Sequence, residues 1–185
     1  PSDRRFHAQT IACPACGPKL TLYEYGKPLD LPNDTEKLRY VSRTFQKNEI
    51  VAIKGTGGFH LFCDTRDKTI RKLDTLTGRH RKPYAVLCRD IVMARGIAML
   101  APEEERRLLS PERPIVLARK NAHSPDASEL DTIGIMLAST ALHILLFEHF
   151  PHPLICTSSN LAHAPLTTDR TEQFVPLVLD HDRRI

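Results

Sequence analysis

Short apolar runs and amphipathic helical stretches take turns along most of this chain, and that order limits the folds open to it more than any other feature. Ile50-Val51-Ala52-Ile53-Lys54 reads as a buried strand, Gly55 to Gly58 as a glycine turn, and Phe59-His60-Leu61-Phe62-Cys63 as a second strand. Before them, Asp34 is placed to cap a helix in which Leu38, Val41 and Phe45 recur at helical spacing. After them, Asp64 is placed to cap a helix with Ile70, Leu73 and Leu76 on its apolar edge and Lys68, Arg71 and Lys72 on its other side. Further strands are expected at Tyr84–Cys88, Ile115–Ala118, Gly134–Leu137 and Leu154–Thr157, with helices near Ile91–Leu100, Glu103–Leu109 and Ala141–Phe150. Such alternation indicates an α/β domain with a largely covered sheet.

With 185 residues, 41% of them hydrophobic, the chain can bury one sizeable core plus a small appendage. Its longest apolar stretch, Ile133 to Phe147, is broken by Ser139, Thr140 and His143 and is shorter than the roughly 20 residues of a bilayer span. Pro1-Ser2-Asp3-Arg4-Arg5 has no initiating Met and no signal-peptide core, so the chain is expected to begin inside something longer. Five cysteines form an odd set, and Cys63, Cys88 and Cys156 lie in apolar strand-like runs, where free cysteine behaves as a small hydrophobe. That usage favours a reducing, cytoplasmic compartment.

Charge is more telling in its distribution than in its sum. Between Arg66 and Lys82 seven Lys/Arg stand against two Asp, a local +5 that exceeds the +4 of the whole chain. A patch of this kind suits phosphate or nucleic acid, and it also suits a solvated helix face.

Four short segments carry candidate chemistry. Cys13-x-x-Cys16-Gly-Pro has the ligand spacing of half a zinc knuckle. A tetrahedral site needs four ligands and the chain has no second such pair, so a redox pair or an inert pair also remains open. In Lys54-Gly55-Thr56-Gly57-Gly58-Phe59-His60, glycines after a strand allow backbone N–H groups to approach a phosphate, with Lys54 as a point charge. The order is not that of a Walker loop, and an ordinary glycine-rich hairpin reads the same way. Arg79-His80-Arg81-Lys82-Pro83 follows the basic helix; arginine forks suit bidentate phosphate contacts, or the stretch is a solvated basic turn. Thr157-Ser158-Ser159-Asn160 ends an apolar strand, where α/β sheets commonly hold ligands and where serine and asparagine also serve as caps. His60 and His143 lie near these loops as polar contacts or as structural histidines.

Taken together, the segments resemble the HypF family, the hydrogenase-maturation carbamoyltransferases, over essentially the whole chain. Asp3-Arg4-Arg5-Phe6-His7-Ala8-Gln9 with Ala12-Cys13-Pro14-Ala15-Cys16-Gly17-Pro18 looks like the close of that family's second zinc finger. Ala52 to Leu61 with Cys63-Asp64, then Lys82-Pro83-Tyr84-Ala85-Val86, resemble the opening of its YrdC-like domain. Arg113-Pro114-Ile115-Val116-Leu117, Gly134-Ile135-Met136-Leu137, Leu142-His143, Thr157-Ser158-Ser159-Asn160 and His181 to Ile185 continue the likeness.

The resemblance implies half a finger and linker over 1–30 and, over 31–185, most of a YrdC-like carbamoyl-adenylate-forming domain truncated at its C-terminal end. That fold would be a twisted mixed sheet with flanking helices and a concave basic groove. It implies formation of carbamoyl-AMP from ATP and carbamate, the latter derived from carbamoyl phosphate, with transfer to a cysteine of a HypE-like partner to supply cyanide ligands of the nickel–iron site. Mg²⁺ on the triphosphate and a structural Zn²⁺ held in part by Cys13 and Cys16 go with it. Lys54, Arg79 and Arg81 would be catalytic; Gly55, Gly57, Gly58, His60, Lys82, Ser139, Thr157, Ser158 and Asn160 would bind nucleotide or substrate. The family's Lys-x-Arg pair falls on Thr77 and Arg79, with Arg81 placed to substitute, and its Ser-x-Asn pair matches Ser158 and Asn160. Two other readings compete: a threonylcarbamoyl-AMP synthase for tRNA modification, against which the finger remnant argues, and a non-catalytic double-stranded RNA-binding module, whose patch lacks interleaved aromatics.

Overall fold

The computed structural model describes residues 19–55, 58–78, 83–158 and 177–182. These form β1 (Lys19–Glu24), β2 (Lys27–Pro28), α1 (Asp34–Gln46), β3 (Val51–Gly55), β4 (Gly58–Asp64), α2 (Asp67–Thr77) and β5 (Ala85–Cys88). There follow α3 (Ile91–Ile97), β6 (Ala98–Met99), α4 (Pro102–Leu109), β7 (Val116–Lys120), β8 (Thr132–Leu137), α5 (Ala141–His149), β9 (Leu154–Ser158) and β10 (Leu177–Asp182). The strands make one mixed sheet in the order β2-β1-β10-β3-β4-β9-β5-β8-β7-β6, parallel only at β10·β3 and β5·β8.

Two apolar layers cover its faces, and strand alternation sorts the side chains between them. Phe59, Leu61 and Cys63 of β4 join Ala52, Val86 and Ile155 under Ile70 and Leu73 of α2, Ala94 of α3 and Leu108 of α4. On the other face Val51, Ile53, Phe62, Leu87 and Cys156 pack against Leu38, Val41 and Phe45 of α1 and Leu146 and Phe147 of α5. The two helices of this second layer are tied together by the Ser42 hydroxyl, which donates to the His149 carbonyl (2.7 Å), and by an edge contact of Phe45 with Phe150. The expected α/β architecture with a mixed sheet and flanking helices is what forms.

The departures are local. Asn33, not Asp34, caps α1, its side-chain oxygen accepting the Glu36 amide at 3.0 Å, while Asp34 pairs with Lys37. Asp64 stays in β4 and grips Arg66, the residue that precedes α2. The helix expected to reach Leu100 stops at Ile97, because Gly96 weakens its last turn and Ala98 and Met99 pair with Lys120 and Arg119 instead. No element was expected before Asp34, yet β1 pairs along its length with β10 and buries Leu20 and Leu22. The alternation that marks β1 runs over few residues, and its partner lies at the far end of the chain, so nothing local announces it. Among the described residues no helix is long and apolar enough to cross a membrane.

Candidate functional site

Strand directions bring three candidate segments to one end of the sheet. β3 ends and β4 begins at the glycine turn, with Gly55 opposite Gly58 and Lys54 opposite Phe59. β9 runs antiparallel to β4, so Ser158, its last residue, lies opposite His60 at the same end. Ala85 opens β5 opposite Cys156, which puts the start of β5 beside them. Gly78 leaves α2 in the left-handed region (φ 63°), and Gly58 starts β4 at φ 118°, conformations that glycine adopts without the strain another residue would carry. Cys13, Cys16, Gly57, Arg79, Arg81, Lys82 and Asn160 lie outside the described residues.

The sheet divides the described candidates between its faces. Lys54 and Thr157 share the face of Phe59 and Leu61, and the Lys54 ammonium lies 5.5 Å from the Phe59 ring centroid. His60 and Ser158 share the opposite face with Phe62 and Cys156. A ligand touching both groups must therefore sit across the strand ends, beside Gly55 and Gly58. Ser139 does not join them by register: β8 runs parallel to β5, and Ala138 donates to the Cys88 carbonyl (2.8 Å), so the chain leaves β8 at the other end of the sheet.

Two histidines occupy the second face. His60 is half-buried, and burial lowers its pKa from the ordinary imidazole range. His143, in the first turn of α5, stands edge-on to Phe62 with ring centroids 5.9 Å apart. Burial, helped by the nearby His60, pushes its pKa down to about 4, so the ring is neutral at physiological pH. Cys88 and Cys156 are pushed up to about 12 by burial, and Cys63 is raised further for the same cause, so all three behave as core residues.

Thr77, which the resemblance sets at the position of the family's lysine, is buried. Its hydroxyl donates to the Leu73 carbonyl (2.8 Å) and lies 3.2 Å from the Tyr84 hydroxyl, which in turn donates to Asp74 (2.8 Å). This cluster ties the end of α2 to the entry of β5, a structural role that periodicity could not reveal. Of the basic residues expected on α2, Lys72 pairs with Glu49, and Arg66 just before the helix pairs with Asp64. A cavity of about 170 Å³ lies between α2 and the 126–129 segment, lined by Asp67, Arg71, Asp74, Tyr84, Asp126 and Glu129. Its carboxylates make it the wrong sign for a triphosphate.

Residues 43–183 match the Sua5/YciO/YrdC family, described as Telomere recombination, and residues 1–23 match the HypF finger. The chain belongs to the Sua5/YciO/YrdC family. Its kinship there is with the HypF carbamoyltransferases: it is 39% identical over 196 residues to Carbamoyltransferase HypF of Rhodobacter capsulatus, covering 100% of this chain and 26% of that protein. The crystal structure of full-length HypF in its phosphate- and nucleotide-bound form aligns with a TM-score of 0.85 and 36% identity over 100% of this chain and 25% of that one. P. abyssi Sua5 complexed with L-threonine aligns with a TM-score of 0.69 at 17% identity over 84% of this chain and 50% of that one, a likeness of fold. The chain thus spans about a quarter of the length of the HypF proteins it matches.

Proposed function

We propose that this chain is the adenylate-forming region of a HypF-type carbamoyltransferase. The finger segment precedes the YrdC-like unit in it, and β1 favours a boundary near residue 19 over one near residue 30. The observation that carries the reading is the gathering of the Lys54–Gly58 turn, the entry to β5 and Ser158 at one end of the sheet. That a HypF relative was solved in a phosphate- and nucleotide-bound form supports a nucleotide as ligand of a protein of this kind, and the phosphate-suited residues of this edge favour ATP there.

In this reading carbamoyl phosphate yields carbamate, whose oxygen attacks the α-phosphorus of ATP; carbamoyl-AMP forms and pyrophosphate leaves. Negative charge accumulates on the phosphate oxygens, so the protein's part is to offset it. Lys54 brings a charge to the turn, and Arg79, Arg81 and Lys82 bring forks and a further charge from the connection into β5. Amides of Gly55, Gly57 and Gly58 approach the phosphates, while Thr157, Ser158 and Asn160 supply hydroxyl and amide contacts to the rest of the nucleotide. Mg²⁺ arrives on the triphosphate; among the described residues no group of three or more carboxylate, thiol or imidazole side chains could hold a metal. Zn²⁺ would be held in part by Cys13 and Cys16. The carbamoyl group then passes to a cysteine of a HypE-like partner.

Carbamoyl-phosphate-dependent exchange of pyrophosphate into ATP tests the reading. Arg79→Ala and Asn160→Ala should each lower exchange by about 10²-fold, the usual size for losing one group that stabilises developing charge. Unchanged exchange in both variants would remove the site assignment.

A further inference from the structure

Arg79, Arg81 and Lys82, cations proposed for the triphosphate, stand in the sequence between two residues that touch. Thr77 ends α2 and Tyr84 directly precedes β5; both are buried, and their hydroxyl oxygens lie 3.2 Å apart. The phenol gives its one hydrogen to Asp74 (2.8 Å), so towards Thr77 its oxygen is left to accept. Thr77 shares its own hydrogen between that oxygen and the Leu73 carbonyl (2.8 Å). The Tyr84 amide is fixed as well, donating to the Ala127 carbonyl (2.8 Å). Just inside the pair, Gly78 takes a left-handed turn (φ 63°), and Pro83 fixes its own φ and restricts the residue before it. The 78–83 connection therefore runs between two stems joined side chain to side chain, and a chain closed at its base has fewer conformations open to it.

We infer that Tyr84 is a positioning residue for the nucleotide: its hydroxyl joins the two stems of the 78–83 connection and so limits where Arg79, Arg81 and Lys82 can go. Three cations this close in sequence repel one another, and an unjoined connection would let them spread apart. Closing the base lowers the ordering cost of gathering them on one triphosphate. This rests on the reading of the site given above.

Tyr84→Phe removes the hydroxyl and keeps the ring in the core. In the intact protein it should weaken ATP binding about tenfold by calorimetry, the scale of the hydrogen bonds lost, and lower the melting temperature by only a few degrees. Thr77→Val, which removes the other hydroxyl of the pair, should weaken binding about threefold and add little to Tyr84→Phe. The deciding measurement makes Tyr84→Phe in an Arg79→Ala/Arg81→Ala background. A side chain that acts through those arginines should there change the dissociation constant by about twofold or less. Wild-type affinity in Tyr84→Phe, or a loss of equal size with and without the arginines, would overturn the inference and leave the site in place. An Arg79→Ala/Arg81→Ala protein that binds ATP as wild type does would instead remove the site reading, and the inference with it.

Discussion

Lys54 faces Phe59 across the β3–β4 hairpin, with its ammonium 5.5 Å from the centre of the ring. The ring is nearly buried, and the lysine is half-buried at the last step of β3 before the glycines. An aromatic face beneath a cation restrains a long, flexible side chain and aims it along the strand end. Lys54→Met, which keeps the length and loses the charge, should weaken ATP binding about tenfold or more, measured by calorimetry. Phe59→Leu should weaken it less. An unchanged dissociation constant for Lys54→Met would remove Lys54 from the site.

Arg66 closes the gap between the two layers of helices. It grips the buried Asp64 carboxylate through its amide, Nε and Nη2, and Nη2 also donates to the carbonyls of Phe45 and Gln46 (2.9 Å each) at the end of α1. Arg66→Ala leaves a buried carboxylate short of its partner and takes a donor from two helix-end carbonyls, of which that of Phe45 keeps the Asn48 amide. A loss of about 2 to 3 kcal/mol in denaturant unfolding is expected, below the range for fully buried pairs because the arginine is half-exposed. Arg66→Ala and Asp64→Asn together should cost less than the sum of the two, and strict additivity would show that the contacts are not coupled.

Stability should fall in mildly acid solution, and His143 sets the window. Its pKa is about 4 when folded against 6.5 for a free imidazole, so between those values the unfolded chain binds the proton and the folded chain does not. Stability is therefore full above about pH 6.5 and declines as pH falls toward 4, by about 3 kcal/mol in all from this group. Asp90 acts lower: the Met93 amide, and then Arg89, hold its carboxyl below 3.8, so its contribution fades only at more acid pH. Chemical denaturation from pH 7 to 4 should show the limb in wild type and a much shallower one in His143→Asn; equal slopes would exclude His143 as its source.

Cys63, Cys88 and Cys156 should resist alkylation in the native protein, because burial keeps each thiol protonated. Thiol titration should count no more than two reactive cysteines of the five before denaturation and all five afterwards in metal-free protein. A third fast-reacting thiol in the folded state would contradict the packing of β4, β5 or β9.

Most of the elements were legible because each is marked locally. Leu38, Val41 and Phe45 repeat at helical spacing in α1, and apolar β-branched and aromatic runs between turns mark β3, β4 and β9. β1 and β10 escaped because their pairing joins opposite ends of the chain. Caps went wrong by a residue or two wherever two polar candidates adjoined, as with Asn33 beside Asp34, since which of them turns its oxygen back to the helix depends on the path of the incoming chain. At the site, the glycine turn and Ser158 were readable as motifs. The opposite facing of Lys54 and His60 is set by the hairpin register that pairs Lys54 with Phe59, and their placement beside β9 by the strand order; neither follows from the period of one strand.

By itself the amino-acid order determined the succession of strands and helices, the family likeness and the residues able to meet a phosphate. These are properties of neighbouring residues and of short spacings. Only the tertiary structure decided that Ser158 comes beside His60 while Ser139 departs at the opposite end, that Thr77 is closed in a cluster with Tyr84, and that His143 lies against Phe62. The physical reason is that strand order and direction are set by how two apolar layers close over one sheet. That is a choice made by burial of the whole chain and carried by no single stretch of it.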